Sequence, residues 1–450
     1  MKKIKLLLAA VAAMVGLSAS AQGWTAPVIG SEPTAGSSYK LMNVGAGQFL
    51  VGAKVWYGWT TSTGLTSNSN AALSLTANTS GTGWTLTRSD GKGVFISGPY
   101  NGKGEMHVDG GTPTVVEFTK QSNGFYRIRA VSTDATYGSS MDGYDSKYWG
   151  WEGYLSRPTN AVYATIVPEG NNCDWAFLST DDVAGLEVYK ARVALYQALV
   201  SAESEGASTD AASAVYNNND ATVEQLTNAK TALNEVRLAH ALDVASDTDP
   251  RDITEFVLTN PDFSTGNING WETNYVSGQQ ATNIGYQDNN NYVNSPYYLE
   301  RFIEAWRSGN AKIGDGYLRQ TVSNMPEGKY VLECDAIATN QGNTGATTTG
   351  ALLYINADGV DFTTSLSTTG SAVQHFSTEF LFTGEGNVIF GLKTQNTTAN
   401  WIAADNFKVT YYGIDLSAYV TQLNAAVSAF EALEGNVPTG IYNDPQIRNL

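Results

Sequence analysis

Cysteine, histidine and charged residues are all scarce in this chain. Its 450 residues include 2 cysteines and 3 histidines, and only 15% are charged. Small domains built on disulfides are excluded, because such scaffolds need several cysteine pairs. The two cysteines, Cys173 and Cys334, fall in different predicted domains. We therefore expect two buried thiols rather than a disulfide.

The histidines are too dispersed for a familiar catalytic or zinc site. His107, His240 and His375 lie in three different predicted domains. The sequence has no Gly-x-Ser-x-Gly elbow, no zinc-ligand spacing and no phosphate-binding loop. Glycosidases need two carboxylates that flank a cleft, and the nearby pair Glu300 and Glu304 is more simply explained as a solvated face. A non-catalytic protein is favoured, and a glycoside hydrolase, or the non-catalytic part of one, remains the alternative.

The one long apolar run lies at the N-terminus. Lysines at positions 2, 3 and 5 precede an apolar stretch at 4–17, and Ala19-Ser20-Ala21 forms a small-residue cleavage site. This pattern predicts a secretory signal peptide over residues 1–21. The run is too short to span a membrane, and no cysteine follows the site, so no lipid anchor is predicted. We expect a secreted or cell-surface protein, cleaved after Ala21.

Cations are outnumbered by acids throughout the remaining chain. The full sequence has 26 Lys and Arg against 43 Asp and Glu, and removal of the signal's three lysines leaves 26 − 3 = 23 cations, a net charge of about 23 − 43 = −20. Such a charge disfavours nucleic acid and anionic lipid as partners. It is compatible with neutral ligands and with divalent cations.

Glycine and aromatic residues are abundant instead. The chain has 45 Gly, 24 Tyr and 10 Trp, and aromatics make up 11% of it. This composition is typical of ordered, all-β extracellular proteins rather than of disordered chains. Most of these rings belong to β-sheet cores, and the remainder are candidates for stacking on sugars.

Residues 22–181 are predicted to form a β domain with a weak internal repeat. Aromatic-led strand runs begin at Tyr39, Trp84 and Phe125, and the series ends at Trp175. Three units of this length, each a pair of strand runs with a glycine between them, indicate a β-trefoil, or else another small barrel or sandwich. The pattern resembles the ricin-type lectin trefoils. It lacks their Gln-x-Trp signature, so no sugar-site position is carried over.

Two aromatic clusters in this domain are candidate sugar platforms. Trp56-Tyr57-Gly58-Trp59 and Tyr148-Trp149-Gly150-Trp151 each follow a glycine-containing hairpin. Aromatics in glycine-rich loops are poorly placed to reach a core, and an indole can stack on the C–H face of a sugar. The alternative is that these tryptophans plug the end of the barrel. We single out Trp56, Trp59, Trp149 and Trp151.

Residues 182–246 change to a helical period. Apolar residues recur from Leu186 to Val200 at spacings of 3 and 4, and Thr222-Val-Glu-Gln225 is a capping box that begins a second long helix. That helix carries Leu226, Ala229, Leu233, Val236 and His240 along one face. His240 is read as a packed or fraying residue rather than a ligand. The segment resembles the FIVAR-type helical repeats that separate domains in bacterial surface proteins.

A third helical pattern follows at 414–450. The apolar residues of this pattern are spaced 4, 3, 4 and 3 residues apart, at Leu416, Val420, Leu423, Val427 and Phe430. The residues that begin the pattern after Gly413 resemble those that follow Gly185. A lone amphipathic helix cannot bury its apolar face. Either the natural chain continues or this helix packs back on the rest of the protein.

Residues 250–413 read as one β-sandwich. Alternating apolar residues mark its strands, as in Tyr330, Leu332, Cys334 and Ala336, and turn signals such as Ala357-Asp358-Gly359 separate them. About eight such strands suggest a jelly roll. Trp271 and Phe407 are assigned to its core.

Five ordered pieces of this region resemble a known family, the galactose-binding-like carbohydrate-binding modules of secreted Bacteroidetes proteins. The pieces are Asn260-Pro261-Asp262-Phe263 to Gly270-Trp271, Glu304-Ala305-Trp306, Leu318-Arg319-Gln320-Thr321-Val322, Pro326-Glu327-Gly328-Lys329-Tyr330 and Asp405-Asn406-Phe407. The resemblance implies a jelly roll, often with one structural calcium, that binds a glycan on its concave face or in the loops at one edge. It does not imply catalysis.

The candidate binding residues of the sandwich lie near its loops. Trp306 follows Glu304 in a polar segment, and Asn400-Trp401 precede the last strand, which lines the edge site in similar modules. Tyr297 belongs to an Asn-rich stretch with other tyrosines, and binding residues concentrate in such loops. We therefore single out Trp306, Asn400, Trp401, Glu304 and Tyr297. Packing within the sandwich is the alternative role of the two tryptophans, and a solvated charged face is that of Glu304.

The resemblance also suggests where calcium would bind. Calcium takes several oxygen ligands from adjacent loops. In similar modules the site joins the first and last strands, where Asp262 and Asp405 supply carboxylates. Asp405 has hydrogen bonding to a neighbouring turn as its alternative role.

Three functions from different classes remain open. The first is a carbohydrate-binding protein that attaches to a polysaccharide or to a glycoprotein glycan. The second is a glycosidase or lyase, which a deep pocket with paired carboxylates would favour. The third is a structural adhesin that binds host protein, which flat polar faces with every tryptophan buried would favour.

Overall fold

The computed structural model describes most of the chain after residue 22. The described residues are 23–54, 61–81, 83–100, 103–108, 112–130, 148–151, 162–165, 173–275, 285–308, 311–368, 370, 372–384, 386–414 and 417–434. The protein is mainly β and divides into two compact units. Unit 1 comprises Met1–His240 with Gln287–Tyr292, and unit 2 comprises Ala241–Tyr286 with Val293–Leu450. Among the described helices, none is both long enough and apolar enough to cross a membrane.

Unit 1 begins with twelve short strands. They are β1 (Ser38–Asn43), β2 (Gln48–Lys54), β3 (Thr61–Thr66), β4 (Ser74–Ser80), β5 (Gly83–Thr87), β6 (Phe95–Tyr100), β7 (Lys103–His107), β8 (Val116–Lys120), β9 (Tyr126–Ala130), β10 (Tyr148–Trp151), β11 (Val162–Thr165) and β12 (Asp174–Leu178). The strands β1, β5 and β9 begin close to Tyr39, Trp84 and Phe125, which are the first three positions of the predicted repeat.

Six of these strands close into a barrel. The ring runs β1-β12-β9-β8-β5-β4, and pairing between β1 and β4 closes it. The other six strands pair as three hairpins, β2 with β3, β6 with β7, and β10 with β11. Each group of four consecutive strands thus gives its outer two strands to the ring and its inner two to a hairpin.

The barrel core follows from period-two alternation. In β9, Tyr126, Ile128 and Ala130 are buried, whereas Arg127 and Arg129 between them are more accessible. The inward residues of the other strands join one apolar cluster with Trp175 and Phe177 of β12. Because a one-residue slip would turn this set outward, the alternation also fixes the register.

Four helices complete unit 1, α1 (Thr180–Ala184), α2 (Leu186–Glu205), α3 (Asp210–Tyr216) and α4 (Val223–Val244). The predicted capping box is present, since the Gln225 N–H donates to the Thr222 hydroxyl at 3.2 Å and the Gln225 side chain accepts from the Thr222 N–H at 2.9 Å. His240 is packed as predicted, with Nε2 2.9 Å from the Glu205 carbonyl oxygen in the last turn of α2.

The buried faces of α2 and α4 agree with the predicted ones in part. Leu226 and Leu233 of α4 are buried as predicted, but Arg237 takes the place predicted for Val236, which is exposed. The buried residues of α2 are Leu186, Leu195, Tyr196, Ala198, Leu199 and Ala202. Arg237 is buried because its guanidinium pairs with Glu205 at the end of α2. A charged side chain can complete an apolar face in this way only when a partner neutralises it.

The lead-in segment before β1 is bound to the helices of unit 1. Trp24 lies in the same apolar cluster as Leu199, Tyr216 and Leu226. Further along, the Ser31 N–H donates to the Phe177 carbonyl oxygen at 2.8 Å. Residues 23–31 therefore form an ordered strap. The sequence did not predict it, because the Pro, Gly and Ser residues of this segment have low helix and strand propensity.

Unit 2 contains a short helix and the strands of two antiparallel sheets, except that residues 287–292 of one of these strands are grouped with unit 1. Its elements are α5 (Thr254–Val257), β13 (Arg251–Asp252), β14 (Glu272–Thr273), β15 (Gly285–Asn294), β16 (Tyr297–Trp306), β17 (Gly316–Met325), β18 (Gly328–Thr339), β19 (Ala351–Ala357), β20 (Val360–Ser365), β21 (Gln374–Phe382), β22 (Gly386–Thr394) and β23 (Trp401–Tyr411). One sheet runs β15-β16-β23-β18-β21 with β13 beside β23, and the other runs β14-β17-β22-β19-β20.

The two sheets form a sandwich with an apolar interior. Tyr330, Leu332, Cys334 and Ala336 of β18 are buried as the alternation predicted, and β22 buries Val388, Phe390 and Leu392. Asp358 and Gly359 both have positive φ between the paired residues Ala357 and Val360, which is the geometry of a tight hairpin turn. Cys334 and Cys173 are both buried thiols, which confirms that prediction.

The final described element is α6 (Ser417–Glu434). Val420, Leu423, Val427 and Phe430, here called the α6 seam, are all exposed, and Phe430 is 69% accessible. Every other described side chain of α6 is exposed as well. The alternative in which this helix packs back on the rest of the protein is therefore not what the described residues show.

Candidate functional site

Two tryptophans face each other across neighbouring strands at one end of the sandwich. Trp306 ends β16, Trp401 begins β23, and the two residues are directly paired in the antiparallel register. Their environments differ sharply, because Trp306 is 43% exposed and Trp401 only 2%. Among the tryptophans whose side chains the structure describes, Trp306 alone is exposed.

Glu304 is bonded to the buried tryptophan. The Trp401 indole N–H donates to Glu304 Oε2 at 2.9 Å. A buried indole N–H needs such a partner, so the carboxylate fixes the ring of Trp401. Glu304 and Trp401 are therefore bonded to each other within the protein. Direct contact of either residue with a ligand stays a prediction.

The indole of Trp306 is also fixed, through a loop. Its N–H donates to Gln341 Oε1 at 2.6 Å, and the Gln341 N–H donates in turn to Asn400 Oδ1 at 2.8 Å. Gln341 lies in the loop between β18 and β19, so this chain of bonds connects three strand ends. We call Trp306, Gln341 and Asn400 the Trp306 rim.

Asn400 is a joint between backbone segments rather than an open polar group. Its N–H donates to the Thr339 carbonyl oxygen, its carbonyl oxygen accepts from the Arg307 N–H, and its amide Nδ2 donates to the Arg307 carbonyl oxygen. The residue is 3% exposed. The geometry gives Asn400 the task of holding the Trp306 rim together, and direct contact of Asn400 with a ligand stays a prediction.

Tyr297 stacks on a histidine at another place on the same sheet. Its ring lies 5.1 Å from that of His375, and the two planes differ by 13°. His375 Nδ1 is 2.9 Å from Asp335 Oδ1, and Nε2 is 3.0 Å from Glu333 Oε1. The tyrosine face that meets His375 is thus occupied within the protein.

The remaining predicted residues divide into core residues and residues that are not described. Trp271 and Phe407 are buried with rings 4.7 Å apart, which confirms their assignment to the core. Trp56 and Trp59 lie outside the described residues. Trp149 and Trp151 belong to β10, whose side chains are not described. The second predicted platform therefore stays a prediction.

Sequence reasoning missed a polar and aromatic face on the outer side of the five-stranded sheet. The Arg319 guanidinium lies 4.0 Å from the centre of the Tyr317 ring, and the Lys393 ammonium lies 4.8 Å from that of Tyr354. Both cations are also paired with acids, Arg319 with Glu272 and Lys393 with Asp361. The alternation of Tyr317 and Arg319 was visible in the sequence, but only the register places Lys393 beside them.

The charges on this face are balanced within it. The Arg319 guanidinium and the Tyr317 hydroxyl lower the pKa of Glu272, which keeps this exposed carboxylate ionised. Burial raises the pKa of Tyr354 to about 12, so its hydroxyl stays protonated. The two ion pairs of this face therefore cancel in charge, and Tyr354 and Lys393 are buried within it.

Asp262 and Asp405, the predicted calcium ligands, lie where the start and end of the sandwich meet. The Phe407 N–H donates to the Pro261 carbonyl oxygen at 3.0 Å. Asp405 is 1% exposed, and its carboxylate accepts the N–H groups of Glu300 and Asn406 at 3.1 and 2.7 Å. Burial raises the pKa of Asp405 well above its ordinary range, and the charges of Asp262 and Asp335 add to this.

This donor set fits a calcium ion in part. Hard carboxylate oxygens are present, and a divalent cation would relieve the repulsion between acids. In the described part of the chain no three His, Cys, Asp or Glu side chains are grouped as a metal site. A calcium ion here would therefore depend on backbone or amide oxygens in addition to Asp262 and Asp405.

The carboxylates considered for glycosidase chemistry lie too far apart along their strand. Glu300 and Glu304 are both in β16. Four residues of extended strand span about 13 Å at about 3.3 Å per residue. Glycosidase carboxyl pairs are about 5–10 Å apart. This pair therefore does not have the spacing of a hydrolytic site.

Comparisons with known proteins give weak likenesses. No protein-family model matches the chain, and no curated protein matches it. The chain is similar to a CBM61 module in complex with β-1,4-galactotriose, at 16% identity over 34% of this chain and 96% of that chain, with a TM-score of 0.26. It is also similar to a ricin B-like lectin of Macrolepiota procera in complex with lactose, at 19% identity over 32% and 97%, with a TM-score of 0.25.

A third similar structure is an enzymatically active tailspike domain of bacteriophage CBA120. The identity is 14% over 34% of this chain, the TM-score is 0.26, and the match spans only 21% of the tailspike chain. At these identities and TM-scores, none of the three likenesses supports an argument about what this chain binds.

Proposed function

We propose that this chain is a non-catalytic carbohydrate-binding protein whose sandwich holds a glycan against Trp306. One observation carries the proposal: Trp306 alone is exposed among the tryptophans with described side chains, and its indole N–H is bonded to Gln341 at 2.6 Å. A ring held in place before the ligand arrives loses little freedom on binding. An exposed, fixed indole is the group that the C–H face of a sugar ring packs on.

Neutral sugars fit this rim better than acidic ones. Glu304 lies two residues from Trp306, and the whole chain has a net charge of −17. An acidic sugar would approach against that charge. Hydrogen bonds to sugar hydroxyl groups would come from Gln341 and from the loop backbone around Asn400.

The test replaces Trp306 and measures glycan binding. Trp306→Ala is expected to weaken binding to a glycan-array hit at least about tenfold, since a stacked aromatic ring contributes about 0.5–1.5 kcal/mol beyond the area it buries. Leu381→Ala is the matched control, because Leu381 has the same 43% exposure on another strand of the module. Both variants must keep the wild-type circular dichroism spectrum and melting temperature.

Two results would contradict the proposal. The first is wild-type glycan affinity in Trp306→Ala. The second is the absence of any array hit for folded protein. If Tyr317→Ala loses glycan binding and Trp306→Ala retains it, the glycan binds instead at the outer face of the five-stranded sheet.

We further propose the finer fold assignments. Support for a β-trefoil in unit 1 comes from its six-stranded ring with three hairpins, in which every fourth strand returns to the ring. Support for a galactose-binding-like jelly roll comes from the two antiparallel sheets and from their junction at Asp262 and Asp405. The helices α1 to α4 would then act as a FIVAR-like spacer between the two lectin-type modules.

Secretion and a structural calcium complete the proposal. The signal sequence at 1–21 would direct export, and attachment to a surface glycan would follow outside the cell. Asp262 and Asp405 would hold the calcium ion, which would neutralise the buried carboxylate of Asp405. Two binding modules on one chain would gain avidity from their shared tether.

A further inference from the structure

The apolar seam of α6 has a buried counterpart within the same chain. Leu423 and Val427 stand at the same distances from Gly413 as Leu195 and Leu199 stand from Gly185. Phe430 likewise corresponds to Ala202. The three α2 residues are buried, whereas the three α6 residues are exposed. These three positions are thus covered in one unit and uncovered in the other, whereas the α2 equivalent of Val420 is Arg192.

The cover of α2 is known in detail. Leu195, Leu199 and Ala202 share an apolar cluster with Ala212 and Tyr216 of α3 and with Leu226 and Leu233 of α4. Tyr216 packs its ring 5.9 Å from that of Tyr196, and its carbonyl oxygen accepts from Arg192. A short helix followed by a long one, together with Trp24 of the strap, is therefore what this chain itself uses to bury such a seam.

Charge supports the same partner. Arg237 of α4 forms its ion pair with Glu205, the residue directly before Gly206 at the end of α2. Glu434 ends α6, one residue beyond the position equivalent to Glu205, since it is 434 − 413 = 21 residues from Gly413 and Glu205 is 205 − 185 = 20 from Gly185. The only charged residues of α6 are Glu431 and Glu434, both in its last turn. A partner helix with a cation in the position of Arg237 would meet an acid at this end.

We infer that the α6 seam is a docking surface for an amphipathic helix pair built like α3 and α4. The pair would place two leucines, equivalent to Leu226 and Leu233, against Leu423 and Val427. Because Phe430 is larger than Ala202, the partner needs a small residue opposite it. Without such a cover, an isolated helix of 18 residues is only marginally stable.

The test supplies the partner from the chain's own sequence. A second copy of residues 206–246 is joined after Glu434 in the full-length protein, so that docking is intramolecular and its effective concentration is high. Amide hydrogen exchange is then measured over residues 417–434. We expect exchange in α6 to slow at least about tenfold relative to the unextended chain.

The control has the same extension with the equivalents of Leu226→Asn and Leu233→Asn in the added copy only. The native helices of unit 1 stay intact in this control, so it separates docking from a general change in folding. Equal exchange rates in the two extended proteins would overturn the proposal.

Light scattering on the unextended chain tests the competing occupant. If the unextended chain is a monomer, a second copy does not cover the α6 seam, and the result supports the helix pair as the partner. A dimer that Leu423→Asn converts to a monomer would show that a second copy covers the seam, and the proposal would fall. None of these measurements involves a glycan, so their outcome is independent of the proposed sugar binding.

Discussion

Asn400 shows how a single residue can matter for binding without facing a ligand. Its side chain and backbone join the ends of β16, β18 and β23, and the chain of bonds through Gln341 ends at the Trp306 indole. Sequence reasoning selected the Asn-Trp pair because binding residues concentrate in loops, and its role in binding stays a prediction. Which of the two tryptophans is exposed depends on tertiary packing, and no local pattern encodes that.

His375 makes stability depend on pH in a definite direction. Burial alone would lower its pKa, but hydrogen bonds to Asp335 and Glu333 outweigh burial and raise the pKa above its ordinary value. Lys408, 3.3 Å from Glu333, and the stacked Tyr297 complete its surroundings. A raised folded pKa gives a stabilisation that is complete below the unfolded pKa, about 6.5, and is lost as pH rises through the folded pKa.

His375→Gln should therefore be less stable than wild type at about pH 5.5 and similar to it at about pH 9. Urea unfolding of both proteins across this range measures the difference in the free energy of unfolding. A difference that is constant with pH would show that the imidazole acts only through packing.

At the scale of elements, the strap before β1 contributes to the stability of unit 1. Trp24 is buried among the helices, and the Tyr216 hydroxyl donates to the Thr25 carbonyl oxygen beside it. Truncation of a buried tryptophan to alanine costs about 3–5 kcal/mol. Trp24→Ala should lower the melting temperature of unit 1 by about 10 °C.

Val28→Ala is the control for the strap, because Val28 belongs to the same segment and is 49% exposed. It should leave the melting temperature almost unchanged. Equal shifts in the two variants, measured by circular dichroism at the helix band, would mean that the strap does not hold the helices.

The junction of the Asp262 loop with β23 is where the proposed calcium ion would act. Ligand that binds only the folded state stabilises it by about 2.7 kcal/mol at a hundredfold excess over the dissociation constant. Added calcium should then raise the melting temperature of unit 2 by about 5–10 °C. The response should vanish in Asp405→Asn and persist in Asp358→Asn, whose exposed turn favours Asn equally.

A response to calcium that is unchanged in Asp405→Asn would place the ion elsewhere. The free energies of unfolding of wild type and Asp405→Asn can also be compared without calcium. Because Asp405 is buried with a raised pKa, Asp405→Asn should not destabilise the metal-free protein through lost charge.

Much of the element pattern could be read from the sequence, since apolar alternation specifies which strand residues are buried. The interior of β18 and the turn at Asp358-Gly359 were predicted in this way. On α4 the buried position is Arg237 instead of the predicted Val236, because Arg237 pairs with Glu205 on another helix. Pairings such as Tyr317 with Lys393 depend on register between distant strands, which a single sequence does not specify.

At the scale of the whole molecule, two cores predict two unfolding transitions. The units have separate apolar interiors, so calorimetry should resolve two thermal transitions. Trp24→Ala should move only one of them, and Phe390→Ala, in the sandwich core, only the other, by about 10 °C. A single transition that both variants shift equally would show that the units unfold together.

The closure of the barrel has a mechanical consequence. Its first and last strands are antiparallel neighbours, and Lys40 near the start of β1 pairs with Leu178 at the end of β12. A pull applied to the two ends of the barrel would therefore part its hydrogen bonds one after another instead of shearing them together. Two hydrogen bonds of the strap lie beside the junction of β1 and β12, one from the Ser31 N–H to Phe177 and one from the Ser31 hydroxyl to Asp182. They would be the first to bear tension if the chain were stretched between a cell and a glycan surface.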